Sequence, residues 1–152
     1  MSPSHPTLPP AADRPLLVLH PGEVTLAQLK AIHRGGVRVE FTADVRAGIL
    51  AARKTVQDIV ERKAVVYGIN TGFGKLAQTI IPPERLAELQ RNLVLSHSVG
   101  LGELIADDTV RLILVLKAIS LARGHSGVVP GIVDALLALA NAGVYPLSLI
   151  HI

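Results

Sequence analysis

The sequence lacks cysteine and tryptophan altogether, and its 152 residues include only two phenylalanines and two tyrosines. Without cysteine the chain has no disulfide, no thiolate metal ligand and no cysteine nucleophile, which fits a reducing compartment. Charged residues are also scarce, at 18%, against roughly 25% in a typical soluble domain. Aliphatic side chains therefore supply nearly all of the 49% hydrophobic content, a composition typical of packed helices.

Neither nucleic acid nor a membrane is an expected partner. The net charge of +3 comes from 15 basic and 12 acidic residues spread along the chain, with no basic run interleaved with aromatics. The longest apolar stretch, 110–122, contains Arg111 and Lys117 and is shorter than the roughly 18 residues that a spanning helix needs. We therefore expect a cytoplasmic protein. Because the mean hydropathy of +0.45 is high for this length, we also expect some apolar surface to pack against a partner.

The spacing of apolar residues predicts a mainly α fold with short strands. Two strands are predicted, at 16–19 and 37–41. Five helices are predicted: one capped by Thr25 and ended by Gly35, one capped by Thr42, one opened by Pro82-Pro83, one capped by Asp107 or Asp108, and one from Pro130 to Gly143. The fourth helix is apolar on nearly all sides, so we expect it at the centre of a bundle. Residues 1–15 are expected to form a disordered, proline-rich lead-in.

A glycine-rich segment at 67–74 holds two of the four aromatic residues and three glycines. Glycine allows the backbone to approach a ligand closely, and a phenol, an amide and a hydroxyl stand beside it. We expect an extended stretch at 64–69 to lead into this loop. The alternative is a tight turn in which Tyr67 packs as a core residue. A phosphate-binding loop is excluded, because Lys75 is followed by Leu76 rather than by serine or threonine.

Among the six histidines, His97 stands out because it falls on the apolar face of its predicted helix. There it is either a hydrogen-bonded core residue or a ligand contact. His125 follows a helix-ending glycine, where a cation near a helix C-terminus is the simpler explanation. No two histidines have metal-ligand spacing on one face, and no Ser, His and carboxylate set can be assembled, so we expect no metal site and no hydrolase triad.

In order along the chain, several motifs resemble the N-terminal part of the aromatic amino-acid ammonia-lyase family. The resemblance covers residues 16–146. Its motifs are Thr25-Leu26-Ala27-Gln28-Leu29, Tyr67-Gly68-Ile69-Asn70-Thr71-Gly72-Phe73-Gly74, Leu89-Gln90-Arg91-Asn92-Leu93-Val94-Leu95-Ser96-His97, Ser120-Leu121-Ala122-Arg123-Gly124 and Gly143-Val144-Tyr145-Pro146. Within the family, Leu95-Ser96-His97 is similar to the branch that uses histidine.

The resemblance implies a chemistry and a set of site residues. Enzymes of this family remove ammonia non-oxidatively from an L-amino acid with a methylidene-imidazolone group, which forms from an internal Ala-Ser-Gly triplet. By this resemblance Tyr67 is the catalytic phenol, and His97 and Asn70 contact the substrate, L-histidine, whose products are urocanate and ammonia. The implied active-site loop comprises Gly68, Thr71, Gly72, Phe73 and Gly74. The family also implies a homotetramer.

Two features depart from the family pattern. No Ala-Ser-Gly triplet occurs in the sequence, and residues 147–152 have no counterpart in the family. We therefore expect a truncated N-terminal portion that is inactive alone and ends in an atypical tail. One alternative is a tyrosine or phenylalanine ammonia-lyase or an aminomutase of the same family. An alternative of another class is a non-catalytic helical module that binds a partner through exposed apolar faces.

Overall fold

The order of elements follows the predicted one. A computed structural model describes residues 9–72, 79, 81–98 and 102–146. Within these residues the fold is mainly α, as predicted, with two strands and five α-helices. The elements are β1 (Leu16–Leu19), α1 (Leu26–Arg34), β2 (Arg38–Phe41), α2 (Val45–Glu61), α3 (Leu86–His97), α4 (Asp107–Ala122) and α5 (Pro130–Ala142). In the described part of the chain, no helix is both long enough and apolar enough to cross a membrane.

Residues 9–15 differ from the expected disordered lead-in. Ala11–Asp13 form one 3-10 turn, and the Arg14 side chain is buried, with its Nε donating a hydrogen bond to Pro9 O at 2.8 Å. Arg14 therefore holds this short stretch in a defined turn, and the disordered lead-in as a whole stays a prediction. The rest of the lead-in and the atypical tail at 147–152 lie outside the described residues.

Helix α1 begins and ends where the sequence predicts. Gln28 N donates to Thr25 Oγ1 at 3.3 Å, and Thr25 N donates to Gln28 Oε1 at 2.8 Å, which completes a capping box. At the other end Gly35 has a left-handed φ of 77° and its N–H donates to Ile32 O. Glycine adopts this conformation without a Cβ penalty, so the helix stops here.

The start of α2 corrects the predicted cap. Thr42 N donates to Leu19 O at 3.1 Å, so Thr42 directly follows β2 and is still held against β1. The helix instead begins after Asp44, and no side chain caps it. The predicted cap of α4 is wrong in the same way, because Ala106 precedes the helix and the two aspartates lie in its first turn. Carboxylates there still oppose the positive end of the helix dipole.

The two strands form a parallel sheet whose one edge is closed by a side chain. Leu16 pairs with Arg38, and the register continues to Leu19 and Phe41. On the other edge of β2, Val39 N donates to Asn141 Oδ1 at 2.8 Å, and Asn141 Nδ2 donates to Val39 O at 2.9 Å. The side-chain amide of Asn141 in α5 thus bonds both the N–H and the C=O of buried Val39, which are the backbone groups of Val39 on the edge away from β1.

Helix α4 lies at the centre, as predicted. It contacts α1, α2 and α5, and its Val115 and Ala118 have no exposed surface. One apolar cluster joins α4 to the sheet and α1, and a second joins it to α2 and α5. The outer side of α4 is also apolar, because Ile113 and Leu116 are exposed by 46% and 42%.

We predict that Asn141→Ala lowers the free energy of unfolding by about 2–4 kcal/mol, because it leaves the N–H and C=O of buried Val39 without partners. Chemical denaturation monitored by circular dichroism measures this. Asn92→Ala, at an exposed position of α3, is the matched control and should change stability by less than about 0.5 kcal/mol. Equal effects of the two substitutions would show that Asn141 does not hold β2.

Candidate functional site

The chain between α2 and the glycine-rich segment turns sharply instead of extending. Ile69 N donates to Val66 O at 3.1 Å, and Gly68 has a φ of 78°. The predicted extended stretch at 64–69 is therefore wrong over 66–69, where the chain forms a tight turn. A left-handed residue at position 68 closes the turn, and glycine is the residue that adopts this conformation most readily.

Asn70 holds this turn from inside. Its side chain is 5% exposed. Asn70 Oδ1 accepts from Val66 N at 3.0 Å, and Nδ2 donates to Ala64 O at 2.8 Å. The oxygen and the nitrogen of the carboxamide are thus both bonded to the backbone of residues that precede Tyr67 in the chain. The role that this geometry supports is to brace the loop, and the substrate contact expected for Asn70 stays a prediction.

Thr71 and its neighbours tie the far side of the turn. Thr71 is 1% exposed, and its hydroxyl accepts from Gly68 N at 3.4 Å and donates to Gly72 O at 3.1 Å. Ile81 N donates to Asn70 O at 2.9 Å. The glycine-rich segment is therefore anchored at both of its described ends. The predicted loop residues Phe73 and Gly74 lie outside the described residues.

Tyr67 sits at the tip of this braced turn, immediately before Gly68. Its side chain is 63% exposed. Packing as a core residue, which was the alternative from sequence, is therefore wrong. The loop presents the phenol at the surface while Asn70 and Thr71 stay buried beneath it.

His97 is the last residue of α3, and it is exposed. Its Nδ1 lies 2.8 Å from Leu93 O and 3.1 Å from Ser96 Oγ. A carbonyl oxygen only accepts, so the Leu93 contact requires a proton on Nδ1 and leaves Nε2 as the acceptor of a neutral ring. Because no residue of α3 is buried, the alternative that His97 is a hydrogen-bonded core residue is wrong.

Gly68 and Ile69 also line a cavity of about 520 Å³ between α2 and the start of α3. Its remaining described walls come from α2, from the first turns of α3 and from residues 126–128. Neither Tyr67 nor His97 is among the described lining residues, so the predicted loop reaches this cavity through Gly68. The described residues include no group of three metal-ligating side chains.

A family model described as aromatic amino acid lyase matches residues 24–149. The chain belongs to the aromatic amino acid lyase family. The match spans α1 to α5, and it includes the Tyr67 turn and His97.

Curated lyases of this family are similar to the chain over most of its length. It is 64% identical to a histidine ammonia-lyase of Paracidovorax citrulli over 132 residues, which are 87% of this chain and 26% of that protein. It is 50% identical to a histidine ammonia-lyase of Idiomarina loihiensis, over 84% of this chain and 25% of that protein. The chain thus spans about a quarter of the length of the curated relatives it matches.

Solved lyase-family structures share the fold. Histidine ammonia-lyase from Trypanosoma cruzi superposes with a TM-score of 0.75 at 38% identity, covering 83% of this chain and 25% of that chain. Tyrosine aminomutase from Streptomyces globisporus gives a TM-score of 0.74 at 32% identity, covering 79% of this chain and 23% of that one. The fold is therefore common to members with different named activities.

We predict that Asn70→Ala raises the hydrogen-exchange rate of the Val66 amide by up to about tenfold, because that amide loses its acceptor. Nuclear magnetic resonance of the purified chain measures the exchange at this single amide. Asn70→Asp is the matched control: it retains an oxygen for Val66 N and loses only the donor to Ala64, so the Val66 amide should remain protected. An unchanged Val66 rate in the alanine variant would contradict the bracing role.

Proposed function

We propose that this chain is the N-terminal part of a histidine ammonia-lyase, which converts L-histidine to urocanate and ammonia. The observation that carries the proposal is Tyr67, an exposed phenol on a turn braced by Asn70, in a chain 64% identical to the Paracidovorax citrulli enzyme over its matched region. A braced turn suits catalysis, because a catalytic group is effective only when its position is fixed before the substrate arrives.

Tyr67 is proposed to move a proton at the substrate. A phenol is a weak base near neutral pH, since its usual pKa is about 10. The reaction must therefore favour the phenolate through neighbouring donors or charges.

His97 is proposed to contact the imidazole of the substrate. With Nδ1 directed to Leu93 O, its Nε2 is available to accept a hydrogen bond from an imidazole N–H. An apolar residue here would leave that N–H unpaired, so a histidine at this position favours a polar substrate side chain. Asn70 is proposed to act mainly through the turn that carries Tyr67.

The family's methylidene-imidazolone group supplies the electrophile that makes the amine a leaving group. Its Ala-Ser-Gly precursor is absent from this sequence. The residues present therefore do not fit formation of the group. The isolated chain is accordingly proposed to be inactive. The homotetramer and the cytoplasmic location are proposals by family resemblance.

Two other functions compete with this proposal. A tyrosine or phenylalanine lyase or an aminomutase shares the fold. His97 argues against phenylalanine, whose ring offers no donor, whereas the phenol O–H of tyrosine can also donate to Nε2. A non-catalytic helical module would use exposed apolar side chains such as Val94 and Leu95, which are 66% and 55% exposed. A defined, soluble oligomer of the isolated chain would favour the module, and aggregation would favour the lyase portion.

Tyr67→Phe tests the proposed proton transfer in a chimera in which residues 24–146 replace the matching segment of the Paracidovorax citrulli enzyme. We expect kcat for histidine to fall roughly 10²- to 10⁴-fold, the usual contribution of a general acid or base. Urocanate absorbance measures turnover. Val65→Ala, at a 54% exposed position of the same loop, should leave kcat within about threefold. Equal kcat for chimera and Tyr67→Phe variant would remove Tyr67 from the mechanism.

His97→Leu in the same chimera tests the substrate assignment. We expect kcat/KM for histidine to fall roughly 5- to 150-fold, because the substrate N–H loses its acceptor, while thermal stability changes little at this exposed position. His97→Gln should recover part of the loss, since its amide oxygen can accept. His125→Leu, at another exposed histidine, serves as control. Histidine kinetics unaffected by His97→Leu would exclude the contact.

A further inference from the structure

Arg111 is a buried charge on α4, the central helix of the fold. It lies on the inner side of α4 and is 7% exposed. Within the described residues no carboxylate forms an ion pair with it. A buried guanidinium without such a partner requires compensation from hydrogen bonds or dipoles.

The C-terminal end of α1 supplies one part of that compensation. Arg111 Nη1 donates to His33 O at 2.6 Å and to Ile32 O at 3.5 Å. These carbonyls belong to the last turn of α1, which ends at Arg34. The last carbonyls of a helix lack partners within the helix and carry its negative dipole end, so a cation is favoured there.

Tyr145 supplies the other part. Arg111 Nε donates to Tyr145 Oη at 2.7 Å, and the guanidinium carbon lies 5.2 Å from the centroid of the tyrosine ring. That distance permits a cation–π contact in addition to the hydrogen bond. Tyr145 follows α5 by three residues, after Gly143 turns the chain with a φ of 71°.

We propose that Arg111 is a positioning residue that fixes the direction in which the chain leaves α5. Residues 143–146, here named the exit segment, are otherwise held by backbone bonds from Gly143 N to Ala140 O at 3.3 Å and from Val144 N to Leu139 O at 3.0 Å, and by the packing of Tyr145 against the apolar cluster. The family match continues to residue 149, so the exit segment is part of the lyase region. Its importance for activity rests on the proposed function, whereas the positioning itself is a property of this chain.

The fork of the guanidinium is essential to this role. Arginine donates from Nε and Nη1 in fixed, different directions, so it holds α1 and Tyr145 at the same time. A lysine at this position would keep the charge near the α1 carbonyls, but all of its N–H groups would lie on one nitrogen. We therefore expect Arg111→Lys to break the simultaneous hydrogen bonding of the α1 carbonyls and Tyr145 by one side chain.

Amide hydrogen exchange of the purified chain, resolved residue by residue by nuclear magnetic resonance, tests the proposal. In Arg111→Lys and in Tyr145→Phe, the Val144 amide, which is bonded to Leu139 O, should exchange roughly tenfold faster or more, given the strength of a hydrogen bond from a charged donor. The amides of β2 and of the centre of α4 should keep their rates. Tyr145→Phe retains the ring, so it tests the hydroxyl even if Arg111→Lys fails to fold.

Arg123→Lys, at an exposed arginine that follows α4, is the matched control and should leave all rates unchanged. Unchanged exchange of the exit segment in Tyr145→Phe would overturn the proposal. A uniform rise across β2, α4 and the exit segment would also overturn it, because it would assign Arg111 to global stability alone. The experiment uses no substrate, so its failure is distinct from a failure of the proposed lyase function.

Discussion

The burial of one side of α4 is the constraint on which the other described elements depend. Val115 and Ala118 have no exposed surface, and α1, α2 and α5 all pack against this helix. The same inner side carries Arg111, whose charge is compensated by α1 carbonyls and Tyr145. Apolar packing and one buried charge therefore act together: the packing brings the elements close, and the guanidinium fixes how two of them meet.

The candidate site is held in a different way. The Tyr67 turn relies on polar bonds of Asn70 and Thr71, and α3 buries none of its residues. Local bonds fix the shape of a short turn, but they do not build walls around a substrate. Under the proposed function, the walls around Tyr67 and His97 would come from parts of the lyase other than the described residues.

The sequence predicted features whose causes are local. The Thr25 capping box and the glycine stop at Gly35 depend on residues three or four positions apart, and both are confirmed. The cap at Thr42 failed because its backbone partner is Leu19, on another strand. Asn141 escaped prediction because it bonds Val39, 102 positions away. A residue pattern does not reveal such pairings.

Prediction of the site succeeded only in part, for a related reason. The glycine content indicated a turn. The surface position of Tyr67, however, depends on the hydrogen bonds of the Asn70 side chain to Ala64 and Val66. Helical spacing placed His97 on an apolar face, but spacing alone does not tell whether that face packs against the core. Arg111 did give a signal, as a lone arginine within an apolar helix, but the sequence did not show what it holds.

Histidine turnover by the chimera without any substitution is the most direct test of the proposed lyase function. Residues 24–146 of this chain would replace the matching segment of the Paracidovorax citrulli enzyme, with the isolated chain assayed in parallel for urocanate. We expect the folded chimera to deaminate histidine within about tenfold of the parent, and the isolated chain to form no urocanate above background. A folded chimera without histidine turnover, or turnover by the isolated chain, would contradict it.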